Sequence, residues 1–163
     1  MGLDMYLYAE KSYSSYSSAS WSEEEDKKGV NAIAKMMNAE NLLFSDENSV
    51  QFAELKLEIA YWRKTNAIHK FFVDNCADGV DNCQDTYVSV ENLQELLSRC
   101  KEVLENRDIA SKLLPTQSGF FFGSTEYDDW YFQDLEYTVK VLEKIIPEIE
   151  AHSDWEIYYR ASW

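Results

Sequence analysis

The chain has 163 residues, of which 45% are hydrophobic, including 11 Tyr, 8 Phe and 5 Trp. This apolar content excludes a disordered or low-complexity protein and predicts a single domain, residues 1–163, with a substantial core. The 30 acidic residues against 15 basic ones give a formal net charge of −15, which excludes the usual route to DNA or RNA, because duplex binding depends on Lys and Arg side chains that neutralise phosphates.

The first predicted element is a half-buried β-strand over residues 2–8, in which Leu3, Met5 and Leu7 alternate with polar or aromatic residues. The Ser/Tyr tract at residues 12–20 has no helical period and predicts a loop. Ser22, with Glu25 three residues later, then predicts a capped helix over residues 23–39.

The second strand is predicted from an alternation of apolar and charged side chains, with Leu55, Leu57, Ile59 and Tyr61 as its apolar members. From Trp62 to about Asn75 the period becomes helical, and residues 76–82 are typical of an acidic turn. A short extended segment at Tyr87 and Val88 precedes Ser89, which caps a helix with an apolar stripe at Leu93, Leu96, Leu97, Cys100, Val103 and Leu104.

The last third of the chain begins at Pro115, after which residues 119–123, Gly-Phe-Phe-Phe-Gly, predict an aromatic strand. Ser124 and Thr125 then start a long helix to about residue 146, where Pro147 ends or kinks it. Residues 155–163 alternate again and predict a final strand. The elements together predict an α+β fold, a mostly antiparallel sheet of four to five strands with about four helices packed on it.

Acidic residues are concentrated in two stretches without Lys or Arg: residues 71–98 contain six and residues 113–139 contain five. Two interpretations stay open. The carboxylates form a solvated face that keeps the protein soluble, or they imitate a phosphate backbone and bind the basic groove of a protein that handles nucleic acid.

The first candidate site lies in the predicted helix that starts near Trp62. At about 100° per residue, Trp62, Asn66 and His69 share one edge of this helix, and Arg63 and Lys70 lie together further round. These side chains are either core residues with satisfied polar groups or the wall of a pocket, in which Trp62 stacks on a ring and a cation meets an anionic group.

The second candidate site is the glycine-bounded segment and the helix start that follows it. Free backbone N–H groups beside Ser124 and Thr125 would suit an anion. Glu126, Asp128 and Asp129 at the same place either satisfy the helix dipole or repel a phosphate unless a base such as Arg63 stands opposite.

Signatures of other chemistries are missing. The chain has two histidines, no GxSxG, HExxH or Walker motif, and no Cys/His spacing typical of zinc. Residues 74–85 match a calcium loop poorly. We therefore expect no metal and no cofactor, and a binding protein more than an enzyme.

The compartment is predicted from the cysteines and the absence of long apolar runs. Three cysteines, Cys76, Cys83 and Cys100, indicate free thiols in a reducing environment, although Cys76 and Cys83 could pair. No apolar run approaches the roughly 18 residues that span a bilayer, and the N-terminal residues lack the features of a signal peptide. We expect a cytoplasmic protein without a membrane partner.

Four segments resemble a family of small proteins common in bacteriophages and prophages: GLDMYL (residues 2–7), YWRKTNAIHKFFV (61–73), LLPTQSGFFFGSTEYDDWYFQDLEYT (113–138) and the terminal ASW (161–163). The resemblance covers almost the whole chain. It implies a phage accessory or host-takeover protein and assigns no residue a role.

Two functions follow as expectations. The first is binding, and sequestration, of a small nucleotide-like ligand that signals host defence, with these predicted contacts: Tyr61, Trp62, Arg63, Asn66, His69, Lys70, Phe121, Ser124, Thr125, Tyr127 and Trp130. The second is an acidic nucleic-acid mimic that inhibits a host DNA- or RNA-processing or defence protein. Aromatic strands at both ends of the chain also suggest a homodimer through an exposed sheet edge.

Overall fold

The computed structural model describes residues 2–14, 22–43 and 52–163. Four strands and five α-helices lie in these ranges: β1 (Asp4–Ser14), α1 (Ser22–Met36), β2 (Phe52–Arg63), α2 (Asn66–Cys76), β3 (Thr86–Tyr87), α3 (Val90–Glu105), α4 (Ala110–Leu113), α5 (Asp129–Ala151) and β4 (Glu156–Ser162). The strands form one antiparallel sheet in the order β2-β1-β4-β3, and the predicted α+β fold is confirmed.

The chain divides into two compact units, one of Met1–Ala9 with Leu57–Trp163 and one of Glu10–Lys56. In the smaller unit, Lys56 pairs with Glu10, and α1 buries Val30 and Ala34, one turn apart. The predicted loop at residues 12–20 is wrong at its start, because residues 12–14 belong to β1. Its remainder and the side chain of Ser22 lie outside the described residues.

The core of the larger unit lies between one face of the sheet and helices α2, α3 and α5. Leu3, just before β1, and Met5 and Leu7 within it are fully buried, as their alternation predicts. Ile157 and Tyr159 of β4 are 2% and 3% exposed. Antiparallel pairing of Thr86 with Tyr159 places β3 at the sheet edge. α3 is capped by Ser89, whose hydroxyl accepts from the N–H of Asn92, which confirms the predicted cap.

Strand β2 does not follow the predicted alternation to its end. Ala60 and Trp62 are buried, whereas Leu57 and Tyr61 are exposed. The strand also runs to Arg63, so that α2 begins at Asn66 and the prediction of a helix from Trp62 is wrong. Trp62 is a strand residue, and it does not share a helix edge with Asn66 and His69.

Residues 119–123 form a turn, and the predicted aromatic strand is wrong. The N–H of Phe122 donates to the carbonyl of Gly119 at 3.2 Å, which leaves Phe120 in solvent and Phe122 in the core. This bond folds the segment back on itself, so it does not extend into a strand. The turn is attached to its surroundings through the carbonyl of Phe121, which accepts from the N–H of Leu3 at 3.0 Å, and through the carbonyl of Phe122, which accepts from the side chain of Asn66.

Helix α5 begins four residues later than predicted and ends later as well. Its N-cap is Asp128, whose side chain accepts from the N–H of Tyr131 at 3.1 Å, so Ser124 and Thr125 precede the helix. The helix continues through Pro147 to Ala151. No helix in the described ranges has both the length and the apolar character needed to cross a bilayer.

Candidate functional site

Trp62, the aromatic residue predicted to stack on a ligand, is a core residue. It is 2% exposed, and its indole N–H donates to the hydroxyl of Thr138 on α5 at 2.9 Å. Phe72 packs beside the ring at 6.2 Å between centroids. The polar group of Trp62 is therefore satisfied by the protein and joins β2 to α5.

His69 lies fully buried between the sheet and the acidic turn. Its Nδ1 is 2.7 Å from the Tyr159 hydroxyl and its Nε2 is 3.1 Å from a carboxylate oxygen of Asp81. A carboxylate only accepts, so Nε2–H donates to Asp81, and Nδ1 accepts from the Tyr159 hydroxyl. Burial lowers the pKa of His69, against the opposing effect of Asp81. Both ring nitrogens are occupied, so the imidazole stabilises the fold.

Asn66, at the start of α2, fastens the segment that leads to α5. Its amide nitrogen donates to the carbonyls of Phe122 at 3.0 Å and Ser124 at 2.7 Å. Its side-chain oxygen accepts from the N–H of Gln117 at 3.0 Å. The side chain is 4% exposed. Three bonds made by one buried amide give residues 117–124 their position beside α2.

A cavity of about 340 Å³ lies next to this clamp, where the end of β2 and the start of α2 face the start of α5. We call it the polar hollow. Four of the predicted binding residues line it, Arg63, Asn66, Ser124 and Trp130. The sequence reasoning missed its other polar members, which are Lys64, Thr65, Thr116, Glu126, Asp128, Tyr131 and Asp134.

One wall of the polar hollow carries two cations, Arg63 and Lys64, at the corner between β2 and α2. Lys64 has φ of +59°, a conformation that costs a side-chain-bearing residue about 1–3 kcal/mol. Its N–H donates to the carbonyl of Leu3 at 2.8 Å. Space is kept for the corner by Gly2, where an added Cβ would lie 3.2 Å from Lys64 Cε. Packing around the corner thus fixes the backbone at Lys64, whereas Nε of Arg63 lies 3.8 Å from the carboxylate of Asp4.

The opposite wall carries three carboxylates, those of Glu126, Asp128 and Asp134. Asp128 is held by its cap to α5. Burial raises the pKa of Asp134, and the negative charge of Asp128 raises it further, whereas a hydrogen bond from Thr65 acts against both. A half-buried carboxyl whose pKa is raised, in a hollow open to solutes, is typical of binding and catalytic sites.

Trp130 completes the hollow with an aromatic surface. It is 75% exposed, whereas its neighbour Tyr131 is buried and donates its hydroxyl to the carbonyl of Leu114 at 2.8 Å. Tyr131 therefore anchors this turn of α5, and Trp130 is left free to contact a solute.

The remaining predicted residues do not line the polar hollow. Tyr61 donates to Asp4 at 2.5 Å on the far face of the sheet, and Lys70 pairs with Asp74. Phe121 and Thr125 offer their carbonyls to Leu3 and Thr116, and the hydroxyl of Tyr127 accepts from the N–H of Thr116. Their roles in the structure are those of turn and surface residues.

The predicted anion site at Ser124 and Thr125 is wrong, because no helix begins there. The hydroxyl of Ser124 accepts from the N–H of Glu126 at 3.1 Å, and the first turn of α5 is satisfied by Asp128. An anion in the polar hollow would instead meet Arg63 and Lys64.

Most carboxylates of the first acidic stretch, residues 71–98, already have an ion-pair or hydrogen-bond partner. Asp74 bonds Lys70 at 2.7 Å and Glu95 bonds Arg99 at 2.5 Å, both one helical turn apart. Asp85 lies 3.6 Å from Arg160, and Asp81 contacts His69. Four of the six carboxylates in residues 71–98 therefore already have a partner with an N–H donor.

The three cysteines carry free thiols, with Cys100 buried and Cys76 and Cys83 partly buried. Burial raises the pKa of Cys76 and of Cys100 to about 12, so these two thiols are poor nucleophiles at neutral pH. Within the described part of the chain, no three His, Cys, Asp or Glu side chains are grouped as metal ligands would be.

Comparison with models of known protein families, with curated proteins and with solved structures finds no match to the chain.

Proposed function

We propose that the polar hollow binds a small nucleotide-like ligand, and that the protein sequesters this ligand without transforming it. The observation that carries the proposal is the composition of the walls: Arg63 and Lys64 on one side, the carboxylates of Glu126, Asp128 and Asp134 on the other, and the exposed ring of Trp130 beside them.

Each wall matches one part of a nucleotide. Guanidinium and ammonium groups bind phosphate oxygens. Carboxylates accept hydrogen bonds from ribose hydroxyls, as they do in dinucleotide-binding folds. An exposed indole offers a surface on which a base can stack, worth about 1–3 kcal/mol. The cavity of about 340 Å³ lies at the lower end of the usual range for ligand pockets.

Sequestration needs affinity alone, which fits a chain without a catalytic signature. The resemblance to phage and prophage proteins extends the proposal. The ligand is a nucleotide signal of host defence, and the protein is a phage accessory factor that removes this signal in the host cytoplasm.

Isothermal titration against cyclic dinucleotides and ADP-ribose tests the proposal. Trp130→Ala and Arg63→Ala should each weaken binding by roughly tenfold, about 1.4 kcal/mol. Phe120→Ala, which removes another exposed aromatic side chain, and Arg160→Ala, which removes another exposed cation, are the matched controls and should leave the affinity unchanged. An absence of heat with every nucleotide would refute the proposal.

The acidic-mimic function remains the alternative, and the paired carboxylates of residues 71–98 weigh against it. Such a mimic should capture a basic host protein from lysate at low salt and release it at high salt. Capture of this kind that survives Trp130→Ala would favour the mimic over the ligand-binding function.

A further inference from the structure

A second cavity, of about 170 Å³, lies among α2, α3 and α4 and has one lining residue, Ala67, in common with the polar hollow. Three cations line it, one from each helix: Lys70, Arg99 and Lys112. Asp74 is the one carboxylate of its lining. We call it the basic hollow. A formal charge of +2 on its lining is unusual in a chain whose net charge is −15.

Two of these cations are available to a competing anion. Lys112 makes no hydrogen bond or ion pair with any residue in the described ranges, and Lys70 is bound to Asp74 at 2.7 Å in a surface pair of i,i+4 type. Pairs of this type contribute only about 0.3–0.5 kcal/mol. A doubly charged anion can therefore displace Asp74 from Lys70 at small cost.

The third cation, Arg99, is held in place by its surroundings. Its guanidinium lies 5.2 Å from the centre of the Phe71 ring, and Nη1 is 3.4 Å from the carbonyl oxygen of Leu113. Its other terminal nitrogen bonds Glu95. A guanidinium oriented in this way loses little further freedom when it binds an anion, and its planar fork suits phosphate oxygens.

We propose that the basic hollow binds a phosphoryl group of a small molecule. A volume of 170 Å³ is below the range of whole-ligand pockets and suits a single charged group. The net charge of −15 disfavours anions over the protein as a whole, so convergence of three cations on one concavity gives this group a defined place. The proposal holds whether or not the polar hollow binds a nucleotide.

Titration calorimetry with sodium pyrophosphate at constant ionic strength tests the proposal. The wild-type protein should give a saturable isotherm, and the double variant Lys70→Ala/Lys112→Ala should bind at least about tenfold more weakly. The matched control is Lys140→Ala/Lys144→Ala, which removes the same charge from α5 outside the basic hollow and should keep the wild-type affinity. Thermal unfolding verifies that both double variants fold.

Three results would overturn the proposal: no saturable binding, an equal loss in the two double variants, or full affinity in Lys70→Ala/Lys112→Ala. Arg63→Ala separates the two cavities, since it should weaken nucleotide binding and leave pyrophosphate binding intact. If Arg63→Ala alone abolishes pyrophosphate binding, the anion belongs to the polar hollow and the basic hollow is not its site.

Discussion

Gly123 lies against the main chain of Lys64, and both residues have positive φ, +89° and +59°. A Cβ added to Gly123 would lie 3.1 Å from Lys64 Cβ and 3.3 Å from the Lys64 carbonyl oxygen. Both residues line the polar hollow, so the backbone at this contact fixes the position of the Lys64 wall beside the segment that leads to α5.

Gly123→Ala should therefore destabilise the protein by about 2–3 kcal/mol, through an unfavourable φ and through crowding against a rigid main chain. Gly79→Ala is the matched control, because Gly79 has φ of +77° and open space around its Cα, and it should cost only about 1 kcal/mol. Urea unfolding measures both values. Equal losses would show that crowding at Lys64 contributes nothing.

Asn66→Ala should cost about 3 kcal/mol, because it leaves one buried carbonyl, one partly buried carbonyl and one N–H without their partner. Asn75→Ala removes an exposed amide of the same helix that makes one bond, to the carbonyl of Phe71 at 2.7 Å, and should cost about 1 kcal/mol or less. Denaturant unfolding compares the two variants. A loss at Asn66 no larger than at Asn75 would contradict the role of Asn66 as the clamp.

His69 should make the protein sensitive to mild acid. Because burial lowers its pKa, the unfolded chain takes up a proton at a higher pH than the folded protein does. The resulting stability is complete above about pH 6.5, the ordinary pKa, and is lost as the pH falls through the lower folded value. Unfolding free energies at pH 7.5 and 5.5 should differ less in His69→Gln than in the wild type. His152→Gln, at an exposed histidine, should keep the wild-type difference.

The negative charge of Asp134 should destabilise the folded protein at neutral pH. Burial raises its pKa, so ionisation of the carboxyl opposes folding at neutral pH. Asp134→Asn removes this penalty and should raise the melting temperature at pH 7, with a gain that shrinks as the pH falls through the raised folded pKa and is gone below about 4, where the unfolded chain is also protonated. Glu136→Gln, an exposed carboxylate of the same helix, is the control. A pH-independent gain at Asp134 would exclude ionisation as its cause.

Strands with one buried face could be predicted from the sequence, because burial of alternate residues leaves a period of two. Met5 and Leu7 in β1 and Ile157 and Tyr159 in β4 are examples. Helix α3 could be predicted equally well, since Ser89 supplies a cap and leucines follow at helical spacing.

The ends of helices and strands are harder to predict where the apolar residues of one segment fit both the helical and the strand spacing. Trp62 fits the end of a strand and the start of a helix, and its bond to Thr138, 76 residues away, depends on tertiary packing. The start of α5 has a local signal, because Asp128 is a good N-cap residue. Ser124 and Thr125 carry the same type of signal earlier in the chain, so the sequence offers more than one start for this helix.

The polar hollow was only partly predictable for a similar reason. Arg63, Asn66, Ser124 and Trp130 come from the two segments that the sequence singles out, and both segments line the cavity. Lys64 and Asp134 carry no local signal of their role, since the positive φ of one and the burial of the other result from the way distant segments pack.

Pro147 lies inside α5 and has no amide hydrogen, so the carbonyl of Glu143 has no partner four residues ahead. The final turn, to Ala151, is therefore joined to the rest of the helix by one backbone hydrogen bond fewer. The packing of Ile149 also holds it in place. Its amides should exchange with deuterium sooner than those around Leu142, which lies before the gap. α5 thus has an end that can fray by itself, immediately ahead of the chain reversal into β4, while its first half, which contributes Trp130 and Asp134 to the polar hollow, stays intact.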